Sequence, residues 1–246
     1  LKILSARRPL SLQAHPDARM ARNGFVRENQ AGVDVTDSQR TFVDDWPKPE
    51  ILVAMSDFEG LCGFRDPHET RQLFDGLDIR IPVDPVLGSL TERSGPAALA
   101  ETFLDCLAGD DLRRQIVTEV VSGAVNHVGE DTPLGKFART AVELDEYFPG
   151  DPSILTALML NRIHLRPGEA LAVPPGLMHS YLSGTGIEIM ADSNNVVRGG
   201  LTDKHIDVDS LIEIVDFQTQ EPWVMTAEEV DPGMRVFPGT DEQFRL

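Results

Sequence analysis

Gln13 and His15 stand one residue apart in the run Ser-Leu-Gln-Ala-His-Pro-Asp at 11–17. In an extended segment alternate side chains project to the same face, so this spacing lets both grip one ion. Two further segments offer matching groups: Lys48-Pro49-Glu50 supplies a carboxylate, and Pro174-Pro175-Gly176-Leu177-Met178-His179 supplies a second imidazole. Together Gln13, His15, Glu50 and His179 make a candidate four-ligand site for a divalent metal. Imidazole and carboxylate are ordinary zinc ligands, whereas glutamine binds only through its carbonyl oxygen, a weaker donor. Structural zinc sites usually recruit cysteine and close fully. A set without thiolate fits an open site that keeps water or substrate on the metal.

Polar residues near these ligands extend the chemistry. Tyr181 and Ser183 share the strand face of His179, and we assign Tyr181 as a substrate contact. The alternation Ile187-Glu188-Ile189 sets Glu188 on the face opposite its apolar neighbours. Arg198 precedes Gly199-Gly200, where backbone can approach a ligand closely. Lysine occurs only at positions 2, 48, 136 and 204, and three of these, Lys2, Lys48 and Lys204, lie beside segments singled out in this chain, which hints at an anion pocket. Lys136 and the remaining histidines, His68, His127, His164 and His205, read as surface or packing residues.

The elements that must position these groups follow from periodicity. From Leu1 to about Cys62 short apolar runs alternate with turn residues: Ile3-Leu4, Leu10–Leu12 and Ile51–Met55 fit strands, with a helix near Ala18–Asn29. Helical spacing takes over in His68–Leu77, Ala97–Leu107, Leu112–Val125 and Leu134–Phe148, with Pro96 and Pro133 near helix starts. Strand signals return at Arg162–Leu165, Ala170–Val173, His179–Leu182 and Ile187–Ala191. The pattern implies a mainly β fold, an antiparallel barrel interrupted by a helical insertion, with ligands drawn from both sides of it. Boundaries fall at 1–64 and 161–246 for the β core and 65–160 for the helical domain.

Composition narrows the partners. Twenty-two basic against 40 acidic side chains give a net charge of −18, which argues against nucleic acid or an anionic membrane surface. Cys62 and Cys106 do not form a disulfide framework, and no apolar stretch approaches the roughly 20 residues needed to span a bilayer. A cytoplasmic monomer acting on a small molecule is the expectation. The chain starts without methionine, directly in strand-like sequence, which suggests that it is truncated at both ends.

Six segments carry a family resemblance: Leu-Lys-Ile-Leu-Ser-Ala (1–6), Ser-Leu-Gln-Ala-His-Pro (11–16), Lys-Pro-Glu (48–50), Phe-Glu-Gly-Leu-Cys-Gly-Phe (58–64), His-Ser-Tyr-Leu-Ser-Gly (179–184) and Asn-Val-Val-Arg-Gly-Gly-Leu-Thr (195–202). In sequence and order they closely resemble the type I mannose-6-phosphate isomerases. The resemblance implies cupin-type (jelly-roll) β-barrels plus a helical domain, with N-terminal strands and the end of a C-terminal barrel lying outside this span. It implies one zinc ion per chain on Gln13, His15, Glu50 and His179, Arg198 as an active-site residue, and Ser11, Lys48 and Lys204 lining a sugar-phosphate pocket.

Interconversion of mannose 6-phosphate and fructose 6-phosphate moves a proton between C1 and C2 through an enediol, so it needs a base and a means of holding negative charge on oxygen. Many family members have Asn-His-Lys-Pro-Glu where this chain has Trp46-Pro47-Lys48-Pro49-Glu50, and Ser-Asp-Asn-Val where it has Ser193-Asn194-Asn195-Val196. Proton transfer therefore falls to Glu188, Lys48 or a metal-bound water. Two other classes fit part of the pattern: a non-catalytic cupin-like module that binds a sugar phosphate, and a metal-dependent oxygenase, since two histidines and a carboxylate also hold iron.

Overall fold

The computed structural model describes residues 1–238. Strands β1 (Lys2–Ala6) and β2 (Leu12–Ala14) lead into helix α1 (Ala18–Gln30), and a turn-rich segment returns the chain to β3 (Glu50–Ala54) and β4 (Phe58–Phe64). Helices α2 (Pro67–Asp75), α3 (Asp84–Leu87), α4 (Ser89–Glu92), α5 (Gly95–Leu107), α6 (Asp111–Ala124), α7 (Pro133–Tyr147) and α8 (Ser153–Leu158) follow. The chain then re-enters the sheet as β5 (Leu160–Leu165), β6 (Glu169–Val173), β7 (His179–Met190) and β8 (Val197–Gly200). Helix α9 (Val208–Ile214), strand β9 (Val224–Thr226) and the hairpin β10 (Glu228–Asp231) and β11 (Met234–Val236) complete the described residues. No helix among them is long and apolar enough to cross a membrane.

Local chemistry explains where the helices start. Asp17 caps α1 by accepting from the Met20 amide, Asp110 caps α6 through Arg113, and Thr132 caps α7 through Gly135. Prolines in the first turns of α2, α5 and α7 give up no hydrogen bond there and arrive with φ already set.

Nine strands make one antiparallel sheet that folds over as a near-closed barrel. One layer runs β5-β4-β7-β2-β8 and the other β1-β7-β3-β6-β9, so β7 belongs to both. Sequence periodicity suggests two strands across this region, His179–Leu182 and Ile187–Ala191, broken by glycines. The structure has a single strand of 12 residues instead. Gly184 adopts φ +122°, and a Cβ there would lie 2.6 Å from a Phe58 ring carbon and 2.7 Å from the Asp57 carbonyl oxygen. Glycine at this point bends the strand from one layer to the other without ending it.

Alternation along the strands separates two interiors. Leu12, Ala14, Leu61, Met178, Leu182 and Val197 turn outward into the core shared with the helices, which Phe74, Phe103 and Phe137 dominate. The opposite faces supply Leu52, Phe58, Cys62, Leu171 and Tyr181 to the barrel interior. Ile51, Ile189 and Met225 form a third cluster on the outer face of the second layer. Glu188 therefore points to the barrel interior, where it is 5% exposed, while its apolar neighbours face outward. Arg65 ties the helical block to the barrel by donating to the Leu158 and Leu160 carbonyls, and Arg162 bridges Glu59 and Glu143.

Candidate metal centre

Strand register brings the first candidates together. Gln13 on β2 pairs with His179 on β7 on one side and with Arg198 on β8 on the other, so the three form a row across the sheet. Glu50 opens β3, and two residues later Leu52 pairs with Glu188. His15 lies just past β2, where the chain leaves the sheet; its carbonyl accepts from the Gly176 amide at 2.8 Å, which holds the two ligand-bearing segments side by side. Pro47 and Pro49 flank Lys48, all three buried, and stiffen the approach to Glu50.

His15, Glu50 and His179 are buried, and one ligand atom from each lies within 4.8 Å of the others. His15 Nε2 is 3.3 Å from Glu50 Oε1, and His179 Nε2 is 3.8 Å from Glu50 Oε2. Gln13 presents its amide 3.2 Å from His179 Nε2; a half-turn exchanges amide nitrogen for the oxygen donor. Two donors on a tetrahedral zinc stand ~3.3 Å apart, given bonds of about 2.0–2.1 Å. The spacing fits an ion.

Hydrogen bonding fits it too. His15 Nδ1 donates to the Asn195 carbonyl at 2.9 Å and His179 Nδ1 to the Leu177 carbonyl at 3.0 Å. Both rings are thereby held in the tautomer that leaves Nε2 as a lone-pair donor. His15 Nε2 and Glu50 Oε2 are buried without a hydrogen-bond partner. Such groups are costly unless something satisfies them, and a cation among them would satisfy both.

Electrostatics keep the ligands in their metal-binding states. Burial alone would raise the pKa of Glu50, but the His15 ring 3.3 Å away and the charge of Lys48 hold it well below the usual carboxylate range. Burial and the neighbouring His15 lower His179 to about 4, so it stays neutral at physiological pH. Lys48 Nζ lies 3.0 Å from Glu50 Oε1. Burial, then the charge of Glu50, raises Glu188 to about 7. The same two causes push Tyr181 well above its ordinary value, and its buried hydroxyl has no hydrogen-bond partner.

The remaining candidates line a cavity of ≈ 380 Å³ at the Arg198 end of the row: Ser11, Arg198 and Lys204 are all on its wall. Lys48 is not among its lining residues, because its ammonium is drawn to Glu50. Four histidines stand apart from the site. His68 and His205 are exposed, His127 pairs with Glu130, and His164 pairs with Glu59. The two departures in sequence also resolve spatially. Pro47 is buried, whereas Asn194 is exposed with its amide held by Asp44, leaving Glu188 as the buried carboxylate beside Glu50.

Sequence reading missed Asn195 as a positioning residue. Besides receiving His15, its side chain accepts from the Val43 and Asp44 amides and donates to the Asp44 and Trp46 carbonyls. One residue thus fixes an imidazole and staples the segment leading to Lys48 and Glu50. Lys2 was also passed over; β1 places it directly opposite Glu188. Asn195→Ala is expected to weaken divalent-metal affinity about 10–100-fold, as measured by competition with a chromophoric chelator. Unchanged affinity in the folded variant would show that the staple does not position the site.

Comparison with known proteins adds an independent view. Residues 1–67 match the family model described as "Phosphomannose isomerase type I, catalytic domain". The chain is 29% identical over 238 residues to mannose-6-phosphate isomerase of Escherichia coli (strain K12), covering 96% of this chain and 59% of that protein. It is 30% identical over 253 residues to mannose-6-phosphate isomerase of Rattus norvegicus, covering 96% of this chain and 57% of that one. The structure superposes on mannose 6-phosphate isomerase from Salmonella typhimurium, solved bound to fructose 6-phosphate and zinc, with a TM-score of 0.85 and 27% identity, over 99% of this chain and 60% of that one. The barrel is therefore of the cupin type found in these proteins, and the chain spans well under two thirds of their length.

Proposed function

The chain belongs to the type I phosphomannose isomerase family, and on that premise we propose that it interconverts mannose 6-phosphate and fructose 6-phosphate at one zinc ion held by Gln13, His15, Glu50 and His179. The observation that carries this reading is the buried convergence of two imidazoles and a carboxylate, with His15 Nε2 and Glu50 Oε2 left without hydrogen-bond partners. Zinc bound there supplies positive charge for the oxygens of an enediol.

The chain's own residues supply the rest. Glu188 is buried beside Glu50, and burial, then the charge of Glu50, raises its carboxyl to about 7 in the metal-free site, which places it among the groups able both to take and to return a proton. We assign it the transfer from C2 of the aldose to C1 of the ketose. Lys48, ion-paired with Glu50, is a charged donor for a sugar oxygen. The Tyr181 hydroxyl is available to a sugar hydroxyl inside the barrel. Arg198, Ser11 and Lys204 give the phosphate a cationic cavity at the end of the metal row.

The test is conversion of fructose 6-phosphate in deuterated water, with and without prior chelation. Metal-dependent formation of mannose 6-phosphate carrying deuterium at C2 is the expected result. Saturable binding without turnover would instead favour a sugar-phosphate-binding module, and oxygen uptake with iron would favour an oxygenase.

A further inference from the structure

The cavity beside the metal row carries one more cation than the sequence singled out. Arg8 lines it together with Ser11, Arg198 and Lys204. Nine of the 21 lysines and arginines among the described residues are ion-paired, including Arg40 with Glu28, Arg71 with Asp75 and Asp84, Arg113 with Asp105 and Asp110, Arg162 with Glu59 and Glu143, and Lys48 with Glu50. Among the described residues, Arg8, Arg198 and Lys204 form no ion pair, although Asp203 lies on the same wall. Three unpaired cations around one cavity in a chain of net charge −18 mark a place suited to a multiply charged anion.

The frame around Arg8 is fixed relative to the metal centre. Pro9 follows it and is buried. The Leu10 amide donates to the Tyr181 carbonyl at 2.9 Å, and the Leu10 carbonyl accepts from the Ser180 hydroxyl at 2.7 Å. Arg8 therefore stands on a stem pinned to β7 immediately beyond His179. The opposite wall is equally set. Leu201 holds φ +51°, a left-handed conformation rare for a branched residue, and its amide is tied to the Ser153 hydroxyl at 2.7 Å. Thr202 then accepts from the Lys204 amide at 3.1 Å. Hydrogen bonds that hold this backbone conformation fix the wall carrying Arg198 and Lys204 before any ligand arrives.

We propose that Arg8 is a phosphate-binding residue of the substrate cavity, a third cation that sets the chain's preference for phosphorylated over free sugars. The proposal rests on the reading of a sugar-phosphate substrate given above. Physically, a guanidinium offers paired N–H donors matched to two phosphate oxygens, and its charge adds to those of Arg198 and Lys204.

The experiment compares the zinc-loaded protein with its Arg8→Gln and Arg8→Lys variants. Two quantities are read: steady-state constants with mannose 6-phosphate, and the dissociation constant of inorganic phosphate by direct titration. Arg8→Gln is expected to raise KM and the phosphate dissociation constant together, each about tenfold, with kcat within about twofold and zinc content unchanged. Arg8→Lys should recover part of both losses. KM and phosphate affinity both unchanged in Arg8→Gln would overturn the assignment. If the protein binds phosphate in an Arg8-dependent way yet turns nothing over, the isomerase reading falls and the anion site stands; turnover with Arg8-independent phosphate binding has the opposite meaning.

Discussion

Glu50→Ala is expected to lose zinc and to slow isomerisation by about 10³-fold or more, because one substitution removes a ligand and the counter-charge of its neighbours. Glu50 touches His15, His179 and Lys48 at 3.3, 3.8 and 3.0 Å, so it is the common partner of the whole cluster. Its removal leaves the buried Lys48 ammonium unpaired, an uncompensated charge of the kind that costs several kcal/mol. A variant that simply unfolded would mimic the loss of activity. Glu50→Gln addresses this: it keeps the volume and one oxygen while removing the charge, and it should bind zinc far more weakly while retaining the barrel's circular dichroism and melting cooperatively. Retention of stoichiometric zinc by both variants would show that the carboxylate is not a ligand.

Glu188→Gln should separate activity from stability. Loss of the group to which proton transfer is assigned above predicts a fall of about 10²–10⁴-fold in kcat. The stability effect has the opposite sign. Burial and the charge of Glu50 raise the folded pKa of Glu188 from an ordinary 4.5 to about 7. A carboxyl whose folded pKa is raised favours the folded state when protonated, below pH 4.5, and that favour is lost as pH rises through about 7. Above that, the metal-free protein bears the cost of an ionised buried carboxylate, about 3 kcal/mol for a shift of this size. Glu188→Gln should therefore melt higher than the parent at pH 8, with the difference shrinking toward pH 4.5. Equal melting temperatures across that range would mean that Glu188 titrates as an ordinary surface group.

The candidate ligands were legible in sequence for a physical reason: Gln13 and His15 share a face by strand periodicity alone, and Glu50 and His179 each sit beside prolines that set the backbone locally. Helices α1, α5, α6 and α7 were legible because each spans at least three turns with a repeating apolar face. The short helices α3, α4, α8 and α9 were not, since a segment of 4–7 residues is too brief to show that period. The division of β7 into two strands failed at Gly184, where glycine marks a barrel corner that no local pattern distinguishes from a turn. Alternation did identify Glu188 as facing away from Ile187 and Ile189, but which of those faces is the deeper one depends on how the layers stack. Asn195 and Arg8 were invisible for a related reason: their significance lies in partners more than 100 residues away, the 43–46 segment for Asn195 and the Arg198–Lys204 wall for Arg8.

Lys48 shows how a local motif underdetermines a role. Its place before Pro49-Glu50 suggests either a phosphate anchor or a group in the proton-transfer machinery. The structure sets its ammonium against Glu50 and away from the cavity bearing Arg198 and Lys204, which supports a role at the sugar's reacting end.

The central claim joins one bound metal to one reaction, and zinc titration of chelator-stripped protein tests it most directly. Isomerisation of mannose 6-phosphate should be absent at the start, rise in proportion to added zinc and level off at one equivalent per chain, while Glu50→Gln stays flat. Full turnover by protein shown to be free of metal would contradict the account.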